Sequence, residues 1–126
     1  VTGPDFIQYH SFLQTVYEQV FESVDAYAEK IRTLDAYAPG SFGRFMELSS
    51  IRDENTIPLA LEMVQRLLSD NGIIIAGLTN AFEVSETNKQ YHLSDYLAGL
   101  IDHHKKIGWM LKSTIKPQLM DATSLK

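Results

Sequence analysis

The chain has 126 residues, a formal charge of −5 and no cysteine. This length supports one domain with a core of its own and leaves no room for a second. Without cysteine there is neither a disulfide framework nor a thiolate metal site, and the acidity disfavours a general polyanion-binding surface while suiting the attraction of cations.

No apolar run approaches the ~20 residues of a transmembrane helix, GIIIAGL being far too short, and no charged-then-apolar leader reads as a secretion signal. The missing cysteine fits a reducing compartment.

In chain order, Gly3-Pro4-Asp5 predicts a helix start, with proline tolerated in the first turn and an acid favoured by the helix dipole. The helix runs from Asp5 to Leu34. Leu13, Val16, Tyr17, Val20, Val24, Tyr27, Ala28 and Ile31 recur at helical spacing and predict one buried stripe. Pro39-Gly40 breaks the chain, and Ser41 is placed to cap a short helix, SFGRFMEL, in a crossover segment. A second long helix is predicted from Thr56, with Pro58 in its first turn, to about Val84. Gly72 interrupts its stripe at a cost of ~1 kcal/mol relative to alanine, which suggests a kink or a close helix approach. The polar stretch Ser85–His92 reads as a connection. A last helix is predicted from Ser94-Asp95, carrying Leu97, Leu100, His104, Ile107 and Leu111, with Pro117 stopping it and residues 117–126 left as a tail.

The first long helix carries a distinctive set of side chains. At ~100° per residue, His10, Gln14, Asp25 and Glu29 fall on one face beside the apolar stripe. His10 and Asp25 are fifteen residues apart, about 22 Å along the axis at the usual helical rise, so one metal ion cannot bind both within one chain. Two copies packed antiparallel about a two-fold near Val20 would bring His10 of one against Asp25 and Glu29 of the other, making two equivalent sites. Read from spacing alone, the same residues also suit a solvated acidic patch and an isolated histidine near a helix start.

The segment GPDFIQYHSFLQTVYEQVFESVDAYAEKIRTL, followed by APGSF and FMELSSI, resembles the Dps family (DNA-binding protein from starved cells), the mini-ferritins. The shared pattern is a V-x-G-P-x-F entry, a histidine, and D-x-x-A-E-[RK]-I-R fifteen residues on. It continues to HHKKIGWML, so it covers almost the whole chain. The resemblance implies an all-α, ferritin-like four-helix bundle with a short helix in the long crossover. Dps-like chains carry a further long helix before this point, so the chain is expected to be an N-terminally incomplete single domain. His10, Asp25 and Glu29 correspond to ligands of an inter-subunit ferroxidase centre for iron (Fe2+/Fe3+), where two irons can sit. Gln14 stands where the family commonly has a carboxylate and offers a weaker, neutral oxygen. An upstream histidine of the family centre has no counterpart in this sequence. No Glu-x-x-His pair occurs, which favours the interface site over one inside a single bundle.

The function implied is that of a dodecameric cytoplasmic shell that oxidises Fe(II), commonly with hydrogen peroxide, stores the ferric product and limits oxidative damage. Asp95 aligns with a carboxylate of the acidic three-fold pore, and Glu86 lies in the same region; Asp95 also suits a plain helix-capping role. His103 and His104, near Trp109, read as surface or interface residues, and His92 has no assigned role. The alternative is a shell acting mainly in DNA compaction at the nucleoid, with a weakened metal site. KPQLMDATSLK, with Lys116 and Lys126 against Asp121, is a poor basic arm for that task.

Overall fold

The computed structural model describes the backbone of residues 1–123 and the side chains of residues 1–115. Every regular element among them is helical: α1 (Phe6–Thr33), α2 (Phe42–Leu48), α3 (Ala60–Thr87) and α4 (Tyr91–Thr123). The chain divides into two compact units, Val1–Asp53 and Glu54–Lys126.

In the first unit, α1 runs uninterrupted for 28 residues. Asp35 closes its C-terminal end with φ 59, the left-handed turn that stops a helix by turning its last carbonyls onto following N–H groups. Arg32 fixes the exit, donating to the Ala36 carbonyl at 2.9 Å and lying 4.5 Å from the Tyr37 ring centre. Ser41 caps α2 as expected, its hydroxyl accepting from the Arg44 backbone N–H at 3.3 Å. The predicted buried stripe of α1 does not form as such, because no residue of α1 is buried. Leu13, Val16, Tyr27, Ala28 and Ile31 are half-buried, whereas Tyr17, Val20 and Val24 stay exposed. Phe6 and Phe21 are exposed too.

In the second unit, α3 and α4 pack against each other as an antiparallel pair. Val64 and Leu78 of α3 and Leu97, Ile107, Leu111 and Ile115 of α4 form the buried core, as the helical periodicity predicts. The boundaries differ from expectation in four places. α3 starts at Ala60 rather than Thr56, since Pro58 holds the residue before it extended and Leu59 is itself extended at the N-cap. Its far end reaches Thr87, and α4 begins at Tyr91, leaving a tight turn where Lys89 takes φ 57. The polar residues read as a connection are partly inside the interface. Ser85 and Ser94 are buried and share a hydrogen bond of 2.6 Å, so their polarity is satisfied within the pair. Pro117 does not stop α4, which continues to Thr123. A proline there withholds one N–H from the carbonyl four residues earlier, a local loss that a long packed helix tolerates. The predicted tail is therefore helical up to that residue, and residues 124–126 lie outside the described residues, as do the side chains of Lys116 and Asp121.

Gly72 has open space around it, so the close approach anticipated there does not occur. It occurs instead at Gly108, where an added Cβ would meet the Asn71 amide nitrogen at 3.0 Å. Asn71 and His104 are both buried and satisfy each other. The amide donates to the His104 carbonyl at 2.9 Å, and the amide oxygen lies 2.8 Å from the His104 Nδ1.

Candidate metal centre

All four proposed ligand positions lie on α1, and its continuity fixes their relation. His10 stands one turn into the helix, where the Phe6 ring stacks on the imidazole with centres 5.3 Å apart and planes at 24°. This contact limits the ring's rotation while leaving the residue exposed. Gln14 is one turn further, and its amide donates to the carboxylate of Glu18 at 2.7 Å. Phe6, His10, Leu13, Gln14, Tyr17 and Glu18 line one open depression of about 440 Å³. Asp25 and Glu29 follow toward the C-terminal end of the helix, both exposed and one turn apart.

The donors thus form two groups on one helix face, an imidazole with an amide near one end and two carboxylates near the other. Among the described residues no three histidine, aspartate or glutamate side chains converge on a common point. A site with His10 and Asp25 on one ion therefore requires a second chain. As a donor set, one imidazole, two carboxylates and an amide oxygen suit Fe(II) and other borderline-to-hard divalent ions. Between the groups lies the exposed apolar surface of Tyr17, Phe21 and Val24, where the first two rings stack with centres 6.1 Å apart.

Residues 1–119 match the model of the ferritin-like domain family. An uncharacterised low-temperature-induced protein of Nostoc is 35% identical over 94% of this chain and 67% of its own length. DNA protection during starvation protein 2 of Bacillus anthracis is 25% identical over 90% of this chain and 77% of its own. The crystal structure of a Dps protein from Vibrio cholerae, described as a member of a broad superfamily of ferritin-like diiron-carboxylate proteins, superposes with a TM-score of 0.87. It covers 91% of this chain and 72% of the Vibrio chain, at 21% identity. This chain belongs to the Dps family of the ferritin-like superfamily.

In this Dps-type chain the remaining candidates are placed as follows. Asp95 is exposed and lies beyond the first turn of α4, which contains no acidic residue, so it is not the helix cap the sequence allowed. Glu86 is exposed in the last turn of α3. His92 belongs to the first turn of α4 rather than to a loop. His103 is half-buried, but His104 is buried rather than at the surface, and its pKa is lowered by desolvation and secondarily by the charge of His103. Trp109 is exposed.

Two hydrogen-bonding partners escape a reading of motifs alone. Glu18 follows Gln14 by four residues, the spacing that lets helix side chains meet, and that spacing is the signal that finds it. Asn71 has no such signal, since its partner is thirty-three residues away.

Proposed function

We propose that this chain is the subunit of an iron-oxidising, iron-storing shell. Fe(II) enters as substrate and binds where α1 of one copy crosses α1 of another, with His10 from one chain and Asp25 and Glu29 from its partner. Each ferrous ion gives up one electron, and a pair of them reduces one hydrogen peroxide, whose O–O bond breaks to give water. The ferric product collects in the hollow of the closed assembly, a dodecamer by family analogy. Removing ferrous iron and peroxide together protects nucleic acid and other targets from radical damage.

The observation that carries the reading is the division of donors along α1. Ligand-type side chains occupy both ends of one exposed helix face, too far apart to cooperate within a chain. Family membership supports iron as the metal, and the exposed Tyr17, Phe21 and Val24 supply apolar surface for the second copy. Asp25 and Glu29 serve as ligands rather than as acid or base, and clamping one cation relieves the mutual repulsion of two carboxylates at this spacing.

Asp95 and Glu86 are assigned to the acidic entry for ferrous ions, where a local negative field raises their concentration. The formal charge of −5 favours protection by iron removal over direct DNA coating. The test is aerobic and peroxide-driven Fe(II) oxidation by the purified assembly, followed by ferric absorbance. Asp25→Ala should remove most of the activity while sedimentation shows the same assembly. Equal activity in Asp25→Ala would overturn the assignment.

A further inference from the structure

Gln14 is a poor ligand taken alone, because an amide is neutral and its two ends are chemically opposite. Only the oxygen can face a cation, and the nitrogen must be turned away. The hydrogen bond from the Gln14 Nε2 to Glu18 Oε1, 2.7 Å long, does this turning. With the nitrogen committed to Glu18, the amide oxygen is directed to the other side of the group. Donation to an ionised carboxylate is stronger than to a neutral acceptor, and it draws electron density toward the amide oxygen. Glu18 lines the same depression as His10 and Gln14, at the spacing of successive turns.

We infer that Glu18 is a positioning residue for the cation site, holding Gln14 oxygen-first beside His10 and giving the amide part of the character of a carboxylate. The inference rests on the metal-site reading of α1. Partners of this kind orient metal ligands, and their loss weakens metal affinity by ~10- to 100-fold.

The experiment is anaerobic titration of the full assembly with Co(II), read by the visible bands that report cobalt's coordination, so that no turnover is needed. Glu18→Gln is compared with the parent, with Glu22→Gln as a control carboxylate one turn on. Both variants are then repeated in a Gln14→Asp background, where the side chain at position 14 needs no orientation. Glu18→Gln should weaken binding by about 10-fold and alter the bands in the parent, Glu22→Gln should do neither, and Glu18→Gln should have no effect beside Gln14→Asp. An equal loss in both backgrounds would mean that Glu18 acts independently of Gln14, and would overturn the inference. So would the absence of any loss while Asp25→Ala still abolishes binding, and the metal-site reading would then survive alone. If Asp25→Ala also left cobalt binding intact, the metal-site reading would itself fall.

Discussion

A mixed assembly decides whether the two donor groups meet across chains. His10→Ala and Asp25→Ala each leave one group intact, and fifteen residues of continuous helix keep the groups ~22 Å apart. Both side chains are exposed, so each change should cost the fold no more than ~0.5 kcal/mol. Asp25→Ala should even recover a few tenths of a kcal/mol of repulsion from Glu29 in the metal-free protein. Either variant alone breaks every site. Co-expressed in equal amounts, about half of the two-fold pairs contain one chain of each kind. In each such pair one site carries both lesions and the other carries neither. The co-expressed assembly should therefore oxidise Fe(II) at about a quarter of the parent rate, against near zero for each variant alone. The assay is initial ferric absorbance at fixed protein concentration, with the subunit ratio checked by mass spectrometry. A co-expressed assembly as inactive as either variant alone would refute the crossed-chain site.

Other outcomes follow from the α3–α4 pair. Asn71→Ala strands the buried His104 ring and removes two hydrogen bonds, which should cost about 3 kcal/mol, read from the urea midpoint at fixed subunit concentration. The folded-state pKa of His104 is lowered, so below the unfolded value of about 6.5 the unfolded chain takes up a proton that the folded chain refuses. Stability should be insensitive to this group above that pH and fall as the pH drops through the window beneath it, and Asn71→Ala should be compared across the same range. Gly108→Ala should destabilise by about 1 kcal/mol despite its better helix propensity, because Asn71 is held by two hydrogen bonds and cannot move aside, whereas Gly72→Ala, in open space, should stabilise by up to ~1 kcal/mol. DNA retention in a gel shift should disappear near physiological salt if the −5 charge governs the surface.

The legible parts of the chain were those with a period or a local chemical signature. The run of Leu97, Ile107 and Leu111 at helical spacing marks the buried face of α4, and Ser41 before Phe42 marks the cap of α2. The face carrying His10, Asp25 and Glu29 follows from the pitch of a helix. Residues whose partner is remote behave differently. Ser85 looks like loop material because serine is usually solvated, and Ser94 like a helix start, yet each is buried against the other. Pro117 looks like a stop because a lone helix would fray there, and Gly72 looks like the contact point although Gly108 holds it. Tyr17, Val20 and Val24 look like core because periodicity reports an apolar arc without saying how much of it one chain covers.

The polar pairs inside α3–α4 have a consequence for the route by which the chain reaches its fold. An apolar seam between two long helices is nearly indifferent to a slip of one turn, since leucine and isoleucine repack with similar partners. A slip of about 5.4 Å would part Asn71 from His104 and Ser85 from Ser94, leaving buried polar groups unanswered at ~1–3 kcal/mol each. Those residues thus separate the correct alignment from its near neighbours by more than the seam itself can, and they work like the teeth of a key. The hairpin is fixed at one reading of its length, and every position on α4, Asp95 included, inherits its height from that choice.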